Sequence, residues 1–240
     1  MLRSLALLAA IALPAVASAQ APAAAPRAGV DYEVITPAQA PFGPPGKIEV
    51  AELFSYHCPA CADFQPHLSR WKANLPDDVR LTYVHAAFGG AIDNLARGFF
   101  AAETMGATAR THEGFFRAFH VDRKITTGSV EEVAGVYASL GLDRQQVLQT
   151  MNSFGVTSKV NRAKQFAQRT GANSTPTLVI NGKYRLNATR EGGWAGLLRT
   201  ADVLIARERA AAAAAAAVRA PATPARPAAN PAARTPAPAR

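Results

Sequence analysis

Cysteine is nearly absent from this chain of 240 residues, in which it occurs twice, at Cys58 and Cys61. Two cysteines cannot make the multi-bridge framework of a small disulfide-rich domain, and a chain of this length can bury an adequate core without one. A second cysteine pair is missing, so a zinc site would need two histidines beside Cys58 and Cys61. A static disulfide is another alternative, although it would close a very short loop and contribute little entropy.

Long apolar runs are also lacking, since a membrane-spanning helix needs roughly 20 apolar residues. The run from Leu5 to Val16 is shorter, and it lies between Arg3 and the small residues 17–19. This layout is typical of an export signal, with a buried helix as the alternative. The sequence therefore predicts a signal peptide over 1–19, cleavage near Ala19, and a mature protein in an oxidising compartment.

Acidic residues are few, with 17 against 26 basic ones and a net charge of +9. Part of the excess lies near the ends of the chain, in Arg3, Arg219, Arg226, Arg234 and Arg240. Removing these five arginines leaves +4, and the remaining charges form no basic stripe with interleaved aromatic residues. Nucleic acid is therefore not an expected partner.

Large apolar residues are scarce from 218 to 240, where alanine, proline and arginine dominate. Such a composition predicts disorder, and residues 20–29 are a shorter piece of the same kind. The alanine run over 210–217 has the propensity to extend a preceding helix.

Between these ends, the pattern indicates an α/β domain with a block of helices in its middle. Residues 47–56 and 79–88 read as strands, and the stretch between them places Phe64, Leu68 and Trp71 at helical spacing. Helical patterns continue to about residue 168, and Asn181-Gly182 then joins two further strands before a closing helix. The predicted organisation is a signal peptide (1–19), a flexible leader (20–30), the first part of the α/β domain (31–88), an inserted helical domain (89–156), the second part of the α/β domain (157–209) and a disordered tail (210–240).

The spacing of the two cysteines suits a reversible disulfide. Pro59 is well placed as the first residue of a helix, which puts Cys58 at the helix start and Cys61 one turn further on. Side chains three apart on a helix lie ~5–6 Å from each other, within the range that a disulfide tolerates. The helix start stabilises a thiolate at Cys58, and a stabilised reduced form makes the disulfide oxidising. Cys61 is then the resolving thiol.

Three stretches together resemble a known family: "FSYHCPAC", "NSF" at 152–154 and "PTLVINGKYRLN" at 176–187. The chain is similar, over roughly residues 30–205, to the DsbA family of bacterial periplasmic thiol:disulfide oxidoreductases. The resemblance implies a thioredoxin fold with an inserted helical domain, a nucleophilic Cys58, a buried Cys61 and periplasmic localisation. Apart from that redox disulfide it implies no cofactor, and no metal is expected.

The resemblance also assigns residues outside the cysteine pair. Pro176 falls on the family's cis-proline, although the residues alone favour a trans bond, and a substrate segment is expected to pair with the backbone near Thr175. Glu52 falls on a glutamate that helps to move protons to and from Cys61; a solvated strand edge is the alternative reading.

Two positions depart from the best-known oxidase of the family. Ala60 stands where that oxidase has a thiolate-stabilising histidine, and His57 is a candidate to compensate. Thr175, which precedes the proline, is more familiar from reductase and isomerase branches. Both departures leave the direction of electron flow open.

The sequence therefore predicts a dithiol oxidase that donates the Cys58–Cys61 disulfide to exported proteins with free cysteines. By family analogy a quinone-linked inner-membrane partner of the DsbB type reoxidises it, and a monomer is expected. A reductase or isomerase, and a binding or chaperone module without redox activity, are the two alternatives.

Overall fold

The computed structural model describes residues 25–219, which form one five-stranded sheet and seven helices. The strands are β1 (Glu33–Val34), β2 (Ile48–Phe54), β3 (Val79–His85), β4 (Thr177–Ile180) and β5 (Tyr184–Leu186). The helices are α1 (Pro59–Lys72), α2 (Ala91–Thr104), α3 (Thr108–His120), α4 (Val130–Ser139), α5 (Arg144–Met151), α6 (Phe154–Thr170) and α7 (Gly193–Arg219). From β2 onward, the predicted order of elements is confirmed.

The sheet has the order β1-β5-β4-β2-β3, with β2 and β3 parallel and the other neighbours antiparallel. Strand β2 lies inside the sheet and is buried on both faces, as expected for a mostly apolar strand. Its carboxyl end leads directly to the cysteine pair, so the most enclosed strand of the domain positions the site.

Two hydrophobic clusters cover the two faces of the sheet. One contains Phe64 and Leu68 of α1 with Leu197 and Leu204 of α7. The other, larger cluster joins the opposite face to the helices that follow β3. Helices therefore cover both faces, and the helical block is inserted between β3 and β4.

Several helices begin where side-chain caps predict. The hydroxyl of Ser129 accepts a hydrogen bond at the start of α4, the Asp143 carboxylate does so at α5, and Ser153 of the "NSF" stretch does so at α6. The β4–β5 turn has positive φ at both Asn181 and Gly182, as a type I′ hairpin requires.

Strand β1 lies in a stretch where the sequence predicted no strand. It has two residues, both exposed, and pairs with the sheet edge at β5. So short and exposed a strand has no alternation of apolar and polar residues from which it can be recognised.

Helix α7 is 27 residues long and continues through the alanine run, so the tail boundary predicted at residue 210 lies inside a helix. Alanine's high helix propensity explains this continuation. Glu208 is buried and binds Lys183 and Asn181 at the hairpin, whereas residues 209–218 of α7 are exposed. Among the described helices, none is both long and apolar enough to cross a membrane.

The signal peptide, the cleavage near Ala19, most of the leader and the predicted disorder after residue 219 lie outside the described residues. The remaining domain boundaries stay predictions.

Candidate active site

The two cysteines lie at the junction of β2 and α1. Cys58 is the N-cap residue of α1 with extended backbone angles (φ −82°, ψ 115°), and Pro59 is the first helical residue. Cys58 is partly exposed, whereas Cys61 is fully buried, and both are free thiols. The predicted placement is confirmed: a solvent-accessible sulfur stands at the helix start, with its partner one turn inside.

Contacts around Cys58 favour its ionised form. The neighbouring Cys61 thiol is the largest cause that lowers the pKa of Cys58, and the Thr175 side chain and the backbone N–H groups of Cys61 and Ala60 add to it; the pKa falls to about 5 despite the opposing effect of burial. In the thiol form the sulfur donates to the Thr175 carbonyl at 3.2 Å. A thiolate at neutral pH makes Cys58 both a reactive nucleophile and a good leaving group.

Cys61 has the opposite character. Its hydrogen bond to Cys58, its burial and the nearby Glu52 carboxylate together raise the pKa of the Cys61 thiol far above its ordinary value. Cys61 must therefore gain a proton whenever it is released from a disulfide. This asymmetry separates the roles of the two sulfurs, because only Cys58 is accessible and readily ionised.

Glu52 lies in β2 between Tyr83 of β3 and Leu178 of β4. It is 1% exposed, so the alternative that placed it at a solvated edge is wrong. Both carboxylate oxygens are buried, and neither has a hydrogen-bond partner in residues 25–219. Burial, with a smaller contribution from the charge of Cys58, raises the pKa of Glu52 to about 8. A carboxyl group that titrates near neutrality is suited to giving and taking protons.

Thr175 and Pro176 lie across from the cysteines, immediately before β4. The peptide bond between them is cis, as the family resemblance implies and contrary to the expectation from the residues alone. Pro176 is buried, and its carbonyl accepts a hydrogen bond from the Asn187 side chain at 3.1 Å. The Thr175 carbonyl faces the sulfur of Cys58.

The structure does not bring His57 to the sulfur. Its side chain is exposed, and its ring lies edge-on to Phe119 with the centroids 5.7 Å apart. Ala60 carries no polar side-chain atom, so the contacts that stabilise a Cys58 thiolate come from Thr175, Cys61 and the backbone. The tuning roles of His57 and Ala60 stay predictions.

Sequence reasoning missed a group of residues that holds the segment before Cys58. Tyr56 is hydrogen-bonded to three histidines, His85, His112 and His120. They are 29, 56 and 64 positions away in the chain, so no local pattern could have found them. Within the described part of the chain, His, Cys, Asp and Glu side chains form no cluster of three or more able to hold a metal.

Comparison with known proteins gives one consistent result. Residues 49–198 match the DSBA-like thioredoxin domain. The thiol:disulfide interchange protein DsbA of Pseudomonas aeruginosa is 39% identical over 186 residues, which span 77% of this chain and 87% of that protein. The protein of the same name from Pseudomonas syringae is 37% identical over 212 residues, which span 88% of this chain and 98% of that protein.

Solved structures agree with these sequence matches. The crystal structure of the oxidoreductase DsbA from Xylella fastidiosa superposes with a TM-score of 0.72 at 37% identity, and covers 77% of this chain and 98% of its own. The reduced DsbA1 of Neisseria meningitidis reaches a TM-score of 0.69 at 25% identity, over 80% of this chain and 100% of its own. The fold is therefore a thioredoxin fold with an inserted helical domain, and the chain belongs to the DsbA family of thiol-disulfide oxidoreductases.

Proposed function

We propose that this protein is a periplasmic disulfide oxidase that donates the Cys58–Cys61 disulfide to exported proteins with free cysteines. The observation that carries the proposal is the contrast between the two sulfurs, with the pKa of Cys58 lowered to about 5 and that of Cys61 raised. Stabilising the Cys58 thiolate stabilises the reduced form, and a dithiol whose reduced form is stable is a strong oxidant as the disulfide.

The first half of the reaction forms a mixed disulfide. A substrate thiolate attacks the sulfur of Cys58, the new bond joins substrate and Cys58, and the Cys58–Cys61 bond breaks. The electron pair leaves on Cys61, whose high pKa demands a proton. Glu52 is buried close enough to raise that pKa, and its own pKa of about 8 lets it hold a proton near neutral pH. We infer that Glu52 supplies this proton to Cys61.

The second half releases the product. The substrate's second thiolate attacks the substrate sulfur of the mixed disulfide, and Cys58 leaves with the electron pair. Because the Cys58 thiolate is the more stable anion, this departure is favoured. Two electrons have then passed from substrate to enzyme, and a quinone-linked inner-membrane partner of the DsbB type is the proposed acceptor that restores the disulfide.

Substrate segments are proposed to bind at the backbone near Thr175. Within residues 25–219, the Thr175 N–H has no hydrogen-bond partner, and the Thr175 carbonyl accepts a hydrogen bond only from the sulfur of Cys58. An extended segment that pairs there would gain main-chain hydrogen bonds without selection for particular side chains. Such binding suits an enzyme with many substrates, and we propose that it acts as a monomer.

Refolding of reduced ribonuclease and reduction of insulin test the proposal together. The oxidised wild type should accelerate the first reaction, and Cys58→Ser should abolish it. Full activity of Cys58→Ser in both assays would exclude every redox function. A reduction potential near about −120 mV supports the oxidase, whereas a value near about −270 mV would make the protein a reductase.

A further inference from the structure

The segment that delivers Cys58 to α1 is a tight turn. Ser55 O accepts a hydrogen bond from Cys58 N at 3.0 Å, so Ser55–Cys58 is a β-turn with Tyr56 and His57 at its centre. Rotation of the central peptide plane, between Tyr56 and His57, distinguishes common β-turn types from each other. Whatever holds this peptide therefore holds the turn that ends at Cys58, the nucleophile.

The central peptide is held at both ends. His120, the last residue of α3, approaches the Tyr56 carbonyl with Nε2 at 2.8 Å. A carbonyl only accepts, so the proton lies on Nε2 and His120 is the donor. On the other end of the same peptide, His57 N donates to the Ser55 hydroxyl at 3.3 Å.

Two more imidazoles immobilise the rest of Tyr56. His85 accepts from the Tyr56 N–H at 3.1 Å through Nε2, while its Nδ1 donates to the Ala86 carbonyl at 2.7 Å. His112, also from α3, contacts the Tyr56 hydroxyl at 2.9 Å. Both rings are deeply buried, which lowers the pKa of His85 to about 4 and that of His112 to about 3, so both stay neutral.

We propose that His120 is a positioning residue for the redox reaction: by binding the Tyr56 carbonyl, it fixes the turn that sets Cys58 at the start of α1. It also links the inserted helical domain to the thiol pair, because α3 belongs to that domain. The inference rests on the proposed function, since it assigns His120 a part in the reactivity of Cys58. The interactions of the Cys58 sulfur with Thr175 and with the backbone N–H groups of Ala60 and Cys61 act only at short range, so a reoriented turn weakens them.

The test compares His120→Ala with His120→Gln and His120→Asn. Glutamine places an N–H where His120 has Nε2, whereas asparagine is one methylene shorter and does not reach the Tyr56 carbonyl. His67→Ala is the matched control, because His67 is an exposed histidine on α1 whose ring contacts Arg70 at the surface. Absorbance at 240 nm against pH gives the acid dissociation constant of Cys58, exchange with glutathione gives the redox equilibrium, and circular dichroism verifies the fold.

His120→Ala should lower the Cys58 acid dissociation constant by about threefold to tenfold, the range that one lost hydrogen bond produces. The glutathione equilibrium should move toward the oxidised protein by a similar factor. His120→Gln should restore both values, and His120→Asn should behave like His120→Ala. Wild-type values in a folded His120→Ala, or no restoration in a folded His120→Gln, would overturn the proposal.

If His120→Ala does not fold, the comparison of His120→Gln with His120→Asn tests the proposal. Equal Cys58 acid dissociation constants and equal glutathione equilibria in these two variants would refute the positioning role. The outcome is separable from that of the proposed function. If Cys58→Ser is inactive but the His120 variants give wild-type values, only the positioning role is refuted. If Cys58→Ser is fully active, the redox function itself is refuted.

Discussion

Replacing Glu52 by glutamine should make the stability of the reduced protein less sensitive to pH. Burial and the Cys58 charge raise the pKa of Glu52 from 4.5 to about 8, so the folded protein binds this proton more tightly than the unfolded chain does. The stability that the protonated carboxyl contributes is fully present below about pH 4.5, and it is lost as the pH rises toward 8.

The size of the effect follows from these two values. From pH 5 to pH 7, the free energy of unfolding of the wild type should fall by about 2 to 3 kcal/mol relative to that of Glu52→Gln. Cys58 works in the opposite direction, because its lowered pKa adds stability as the pH rises. Since both proteins contain Cys58, its contribution largely cancels in the difference between them.

Urea unfolding at pH 5, 6 and 7, followed by circular dichroism with a phosphine reductant, measures this difference. Glu33→Gln is the control, because Glu33 is an exposed glutamate at the edge of the sheet and should leave the pH dependence unchanged. In the oxidised protein the effect should be smaller but still present, since burial is the larger cause. Equal pH dependences for wild type and Glu52→Gln would refute the reasoning, because Glu52 would then titrate as it does in the unfolded chain.

Three further substitutions test other parts of the structure. Thr175→Val should lower the acid dissociation constant of Cys58 by up to about tenfold, because the Thr175 side chain helps to lower the pKa of that thiol, and absorbance at 240 nm measures the change. Glu49→Ala should lower the free energy of unfolding by about 3 to 5 kcal/mol, as measured by urea unfolding. The buried Glu49 carboxylate accepts hydrogen bonds from two backbone N–H groups and pairs with Arg80. A loss below about 1 kcal/mol would contradict this account. Gly182→Ala should lower the melting temperature, because the positive φ there disfavours a side chain and the added Cβ would collide with a backbone carbonyl, and an unchanged value would contradict this reading.

Local chemistry made part of the site predictable from the sequence. Pro59 fixes the start of α1, and that start determines where Cys58 and Cys61 stand relative to each other and to the helix N–H groups. Glu52 was visible as a carboxylate in an apolar stretch. Its complete burial became clear only from the sheet order, which places β2 between β3 and β4.

Long-range contacts explain what the sequence could not show. The cis bond at Pro176 is uncommon for a proline chosen at random, and the residues alone gave no reason to expect it. Of the three histidines around Tyr56, His85 lies in β3, and His112 and His120 lie in α3. Each looks ordinary in its own segment, and only the packing of the helical domain on the sheet brings them to one residue.

The geometry of α7 has a practical consequence for experiments on this protein. The helix starts next to the redox helix, where Trp194 packs on Phe64 with the ring centroids 4.9 Å apart. At 1.5 Å per residue, its 27 residues carry the chain about 40 Å from that point. A fluorophore or an immobilisation handle placed near Arg219 would therefore stand well clear of Cys58, leaving the approach of a large unfolded substrate unobstructed.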